Sequence, residues 1–297
     1  MEHQLWKAIV GLLAAFGKPR FDPREDFTDH DIVRVWYWAV IHDRPTSWAL
    51  CPGHWPPHLR RGLRLPSGGT MSKRLRRPAV VALLARLEER VLRPKGPGLY
   101  WMIDGKPLPV GGCSKDRQAG YGRAAGGKAK GYKLHALVNP RCEVAGWRVA
   151  PMNTDERVMA ARLLKAAPAE VQGYVVTDRN YDSNPLHAVA AARPAGRLQL
   201  VNRRRYGPGR GHGHRPQAAG RLRSQELLEN PLPAFGDRLL EDRDQIERFF
   251  GGLVNWGGGL TGLPAWVRTH RRVHRWIQAK LVLSAVKEQL RQTTCAA

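Results

Sequence analysis

Three acidic residues have the surroundings that metal-dependent chemistry needs. Asp104 follows the apolar run Leu99-Tyr100-Trp101-Met102-Ile103, Asp178 follows Tyr174-Val175-Val176-Thr177, and Glu247 lies in a later helical segment. Both runs have the length and composition of β-strands, so the two aspartates can leave one sheet at the same edge. Carboxylates gathered in this way hold divalent cations about 3.5–4 Å apart, an arrangement that cleaves phosphodiester bonds by activating the nucleophile and stabilising the leaving oxygen. Mg2+ demands such hard oxygen ligands and keeps water positions open for substrate. An aspartate after a strand is equally at home as a turn or cap residue, so the surrounding elements have to decide.

From Gly98 onward the pattern is mixed α/β. Leu99 to Ile103, Tyr132 to Val138 and Val144 to Val149 read as strands, followed by a helix over Thr154 to Ala166. A strand over Tyr174 to Thr177, a helix over Ser183 to Ala192 and a strand over Leu198 to Val201 complete the order. Polar caps precede both helices. Residues 203–223 hold seven Arg and no acid, interspersed with glycines, and read as a long basic loop. Glu241 to Asn255 then reads as one helix, and Ala265 to Arg291 as a long basic one carrying Arg268, Arg271, Arg272 and Arg275.

Residues 1–97 are mainly helical in pattern. Thr28 to His42 has helical apolar spacing and stops at Asp43-Arg44-Pro45. Ser67 opens a second segment, and Val80, Leu83, Leu84 and Leu87 repeat at helical period in a third. Short helices of this kind can form a helix-turn-helix-like module, with Ser72 to Arg77 either as its DNA-facing element or as a solvated helix end.

Forty-nine Lys and Arg against 25 Asp and Glu leave a net charge of +24, while 42% hydrophobic residues and ten Trp exclude a merely disordered basic tail. A folded protein of that charge wants a polyanion, and nucleic acid is the usual one. Cys51, Cys113, Cys142 and Cys295 form no CxxC pair, which fits a reducing, cytoplasmic setting. Cys51, His54 and His58, with His212 and His214, have a loose metal-like spacing without the four well-spaced ligands of structural zinc. The apolar run from Ala8 to Phe16 is too short to span a bilayer and reads as a buried helix face. No phosphate loop, dinucleotide fingerprint or nucleophile elbow occurs, so ATP-driven and serine-hydrolase chemistry have no support.

Four blocks now stand in order: Ile103-Asp104-Gly105, Lys130 to Leu137 (KGYKLHAL), Asp178 to Ser183 (DRNYDS) and Ile246 to Leu253 (IERFFGGL). Together they resemble the signature blocks of insertion-sequence DDE transposases, over about residues 98–290. The resemblance implies an RNase H-like domain over 98–297, with a mixed five-stranded sheet flanked by helices, a basic loop over 203–240 and a C-terminal helix. It implies that Asp104, Asp178 and Glu247 are the catalytic carboxylates and bind two Mg2+ or Mn2+ ions. The expected reaction is hydrolysis at insertion-sequence ends followed by strand transfer, with water and then a DNA 3′-hydroxyl as nucleophile. The expected partners are double-stranded DNA, as terminal inverted repeats and target, and a second copy of the chain on that DNA. Localisation follows as cytoplasmic, associated with the nucleoid when bound. The family's helical signature places Tyr seven residues before the Glu, Arg four before and Lys seven after. Arg243 matches, whereas Leu240 and Val254 replace the other two. A decayed or repurposed DNA-binding copy, or a nuclease that cuts without joining, is the alternative.

For DNA contact the basic positions beside these blocks stand out. Lys115, Arg117, Arg123, Lys128, Lys130 and Lys133 crowd a glycine-rich segment that reads as a DNA-tracking hairpin or a solvated loop. Arg203, Arg204 and Arg205 follow the last strand directly, and Arg243 and Arg248 flank Glu247. His135, inside an apolar strand, reads as a core histidine.

Overall fold

A computed structural model describes residues 1–18, 24–111, 114–193, 196–205, 216–229, 233–255 and 259–295. The chain divides into two compact units: Met1–Leu92 with Leu253–Leu260 and His274–Ala297, and Arg93–Gly252 with Thr261–Val273.

The first unit begins with α1 (Glu2–Ala14), α2 (Asp29–Ile41), α3 (Thr46–Ala49), α4 (Pro57–Arg60), α5 (Gly68–Arg74) and α6 (Pro78–Leu92). Thr28 and Asp31 form a reciprocal capping box at the start of α2, which fixes where the helix begins. The apolar run near the N-terminus does bury one face, through Leu5, Trp6, Ile9 and Leu13. Ser67 caps α5 by accepting the Thr70 N–H. The basic run at the end of α5 is partly structural. Arg74 is buried, its guanidinium bonded to Glu25 at 2.7 Å and Asp29 at 2.6 Å, and Arg77 also pairs with Glu25.

The second unit is built on β1 (Gly98–Pro109), β2 (Gly120–Ala124), β3 (Gly127–Val138), β4 (Val144–Pro151), β5 (Val171–Thr177) and β6 (Leu198–Val201). Between and after the strands come α7 (Glu156–Ala166), α8 (Asn184–Ala191), α9 (Ala219–Glu229), α10 (Pro233–Glu241) and α11 (Gln245–Val254). The sheet runs β2-β3-β1-β5-β6, and β4 also pairs with β3. β1 is antiparallel to β3 and parallel to β5, and β5 is parallel to β6. The sheet is mixed, as expected, but has six strands rather than five among the described residues. The extra strand is β2, which makes a hairpin with the first third of β3 from the glycine-rich basic segment.

One face of the sheet buries Trp101, Ile103, Leu137, Val175 and Leu200 against Leu163 and Leu164 of α7 and Leu186 of α8. On another cluster Val176 and Val201 pack with Leu239, Leu227, Leu228 and Leu240 from α9 and α10. The expected basic loop therefore contains two helices. An apolar pair repeated on each, Leu227-Leu228 and Leu239-Leu240, finds strand residues to cover, and burial outweighs the poor helical character of the flanking glycines. Residues 206–215 of that stretch, with His212 and His214, lie outside the described residues, as does Cys113.

The last helix, α12 (His270–Cys295), starts later than its sequence pattern implies. Thr269 before it takes a left-handed φ of 70°, unusual for a β-branched residue. The Asp116 carboxylate holds it by accepting the Thr269 N–H at 2.8 Å. Further along, in the first unit, α12 is buried at consecutive positions from Trp276 to Leu283, with Lys280 paired to Asp43 at 2.5 Å. Among the described residues no helix is long and apolar enough to cross a membrane.

Candidate active site

The parallel register between β1 and β5 ends with Ile103 opposite Thr177. Asp104 and Asp178 are the next residues on those adjacent strands, so chain geometry brings them side by side at the carboxyl edge, where ligands bind in open α/β sheets. Asp104 does not end its strand as its sequence implies. β1 continues to Pro109 with β3 alone as partner. Pro107 and Pro109 are tolerated there because that stretch has lost its β5 neighbour and one of its edges asks for no N–H donor.

Asp104 accepts the Gly105 N–H at 2.7 Å. Burial and the negative charges of Glu156 and Asp178 push its carboxyl up to about 6, against the Gly105 bond and the charge of Arg243, which act to lower it. Asp178 opens a 3₁₀ turn, Arg179–Tyr181, and accepts from the Asn180 backbone N–H and, at 3.0 Å, from its side-chain amide. Asp104 and Asp178 thus stand as two carboxylates at one edge of the sheet, and burial is the main reason that Asp104 takes up a proton readily. Their oxygens are the hard donors that Mg2+ or Mn2+ takes, so these two residues fit the expected ions.

Glu247 is exposed on α11. Among the described residues no group of three or more His, Cys, Asp or Glu stands close enough to hold a metal ion, so the structure brings two of the three expected carboxylates together and leaves the third apart. The chain leading to Glu247 is nonetheless tied to the sheet. The Tyr100 hydroxyl donates to the Leu239 carbonyl at 2.5 Å, and the charge of Arg243 reaches Asp104. The single helix expected over Glu241 to Asn255 is two helices joined by a 3₁₀ turn, Asp242–Asp244. Leu240, standing where the family signature has Tyr, packs on the apolar cluster.

Glu156, which opens α7, escaped the sequence reading. It forms an ion pair with Lys133, and Lys133 lies against Gly105, where a methyl group would come within 2.8 Å of its Cδ. The signal was available: an acid opening a helix after Asp155, with a lysine inside an apolar strand that needs a counter-ion.

The basic positions divide by environment. Lys115, Arg117, Arg123 and Lys128 are exposed. Arg123 and Lys128 face each other across β2 and β3, and Lys128 sits over the Tyr121 ring at 5.8 Å. Like charges paired across a hairpin repel, which a bound phosphate relieves. Lys130 donates to the Ser114 carbonyl at 3.0 Å, and Lys133 is buried on Glu156. Arg203 and Arg205 are exposed after β6, whereas Arg204 turns back to Glu229 at 2.7 Å. Arg243 is half-buried, and exposed Arg248 donates to Gln245 at 3.4 Å. Of the loose zinc set, His54 stacks on Trp48 at 4.5 Å with its Nδ1 2.8 Å from the Trp48 carbonyl oxygen.

Two buried histidines flank the region. Burial, aided by the charge of Lys133, pushes His135 down to about 4, and neither ring nitrogen has a hydrogen-bond partner among the described residues. Burial likewise pushes His187 down to about 4, although the Asp182 charge acts to raise it. Unfolded imidazoles titrate near about 6.5, so unfolding takes up protons as pH falls from there towards 4, and each histidine removes about 3 kcal/mol of stability across that window. The raised Asp104 carboxyl acts in the opposite sense over part of it. The check is therefore the difference in pH slope between wild type and His135→Leu or His187→Leu in urea titrations. Identical slopes would contradict buried neutral rings.

The family model of the transposase DDE domain matches residues 101–280, more than half of the chain. The comparison with curated proteins returns no match. Among solved structures, the cryo-EM structure of a piggyBac transposase synaptic complex with hairpin DNA is similar at a TM-score of 0.46 and 11% identity, covering 96% of this chain and 71% of that one. The family match spans the strand bearing Asp104, the turn bearing Asp178 and the helix bearing Glu247, and on it the chain belongs to the DDE transposase family.

Proposed function

We propose that this protein is a DNA transposase that cleaves and joins the ends of an insertion sequence, with Asp104, Asp178 and Glu247 as its metal-binding carboxylates. The observation that carries the reading is the register that sets Asp104 beside Asp178 at the carboxyl edge of the sheet, in a chain of the DDE family. Two Mg2+ or Mn2+ ions bound there would lower the pKa of the attacking hydroxyl and neutralise charge on the leaving oxygen.

The chain's own residues do the rest. Asp104 and Asp178 are held by backbone and Asn180 donors, which limits their rotation. Glu247 completes the set when α11 approaches the edge on DNA. Lys115, Arg117, Lys128 and Lys130 along the β2–β3 hairpin, and Arg203 and Arg205 after β6, grip the DNA backbone and hold a scissile phosphate against the carboxylates. Lys133 acts on this set through Glu156, and Arg204, Arg243 and Arg248 line its approaches. Two ends must be cut together, so the working form is a dimer on double-stranded DNA, at the terminal inverted repeats and then the target.

The test is purified protein with supercoiled plasmid carrying the element's own ends, with and without Mg2+ or Mn2+. Metal-dependent nicking followed by joined products is the expected result. Cutting without joining would make the protein a nuclease, and tight binding without cutting a repurposed DNA-binding protein.

A further inference from the structure

We infer that the buried Asp182–Arg221 pair is a positioning device that presents Arg203 and Arg205 as a preformed phosphate clamp at the carboxylate edge, with Arg204 as its tether. This rests on the transposase reading and names residues that the DDE signature does not include.

Asp182 lies four residues after Asp178, and its carboxylate joins three segments. Oδ1 accepts from Arg221 Nε at 2.6 Å, and Oδ2 accepts from Arg221 Nη2 at 2.8 Å and from the Arg205 backbone N–H at 3.0 Å. The turn bearing Asp178, the arginine run after β6 and the first turn of α9 thus share one carboxylate. Burial alone would raise its pKa, yet the Arg221 and Arg205 donors hold it below the usual carboxylate range.

The rest of α9 grips the same run at two more points. Ser224 Oγ accepts the Asn202 N–H at 3.1 Å and faces the Asn202 carbonyl at 3.3 Å, and Glu229 takes the Arg204 guanidinium at 2.7 Å. With Arg204 turned back along α9, its neighbours Arg203 and Arg205 are the exposed members. Arg205 reaches towards the start of α7: the Asp155 carboxyl is held low chiefly by Arg157 and, more weakly, by the charge of Arg205.

A buried ion pair is a poor way to gain stability, because desolvating two charges offsets most of their attraction, and fixing one arrangement of the chain is its best-attested use. Here the arrangement fixed is an arginine run beside two catalytic aspartates. Ordering those side chains before DNA arrives removes an entropy cost from binding.

The experiment measures affinity for a labelled duplex of the element end against salt concentration, together with metal-dependent cleavage and thermal midpoint, for wild type, Arg203→Ala/Arg205→Ala, Arg221→Lys, Asp182→Asn and Glu229→Gln. Two lost phosphate contacts lower the slope of log K against log salt by about 2. Arg221→Lys and Asp182→Asn are expected to lose about 1 or more of that slope and to bind several-fold more weakly, with their metal requirement unchanged. Glu229→Gln, an exposed change that leaves the buried pair intact, is expected to weaken binding about twofold to threefold at an unaltered thermal midpoint. Folded variants that keep the wild-type slope and affinity, with only a lower midpoint, would overturn the clamp while leaving the transposase reading intact. Wild-type protein with no affinity for duplex would overturn both.

Discussion

Asp104→Ala, Asp178→Ala and Glu247→Ala should each reduce metal-dependent cleavage by about a thousandfold or more while leaving DNA affinity within about threefold of wild type. The magnitude follows from the several kcal/mol that a metal ion contributes to stabilising charge in a phosphoryl transition state, at a tenfold in rate for each 1.36 kcal/mol. Single-turnover assays on an uncut end and on a pre-cut end separate hydrolysis from joining, and both should fail together because one set of carboxylates serves both steps. Glu247 is the discriminating member: it is exposed and apart from the two aspartates. A Glu247→Ala variant that cuts at the wild-type rate would remove it from the site and leave the role to another acid, for which Glu156 stands nearest in its effect on Asp104.

Asp116→Ala should destabilise the second unit by about 3 kcal/mol, a fall of about 6–12 °C in thermal midpoint for a unit of this size. The Asp116 carboxylate accepts from the Tyr132 hydroxyl at 2.9 Å, the Gln118 N–H at 3.0 Å and the Thr269 N–H at 2.8 Å. Truncation leaves those donors without their acceptor and frees Thr269 from the left-handed conformation the bond enforces. Despite burial, these donors and Arg268 hold the carboxyl below its ordinary range. Its contribution is therefore present above the unfolded carboxylate pKa and lost as pH falls through the lower, folded value. Urea titrations of wild type and Asp116→Ala should thus converge in strong acid. A constant gap at every pH would show that the carboxylate's charge is not what stabilises the fold.

Much of this architecture was legible in the sequence for local reasons. Each strand read from β-branched and aromatic runs is present, and Thr28, Ser67 and Asp155 cap their helices because a short polar side chain reaches the nearby N–H regardless of what else the chain does. The aspartates could be read because each directly follows an apolar strand run, although β1 continues past Asp104 to Pro109. Strand β2 was not, since Gly120-Tyr121-Gly122-Arg123-Ala124 has little β character and becomes a strand only by pairing with β3. Helices α9 and α10 were also missed, because their stability comes from apolar surface that the sheet offers and not from propensity.

The placement of Asp104 and Asp178 directly after the apolar runs of two strands was thus determined by the sequence alone. Only the tertiary structure decided which charges remain available to a polyanion. Lys133, Arg74 and Arg204 read as basic positions, yet each is committed to a carboxylate distant in sequence: Glu156, Glu25 with Asp29, and Glu229. A cation's partner depends on which strands and helices come within about 4 Å, and electrostatic attraction at that range carries no signature in local sequence. The same reason kept the Asp182–Arg221 pair hidden until α9 was seen to lie across the end of β6.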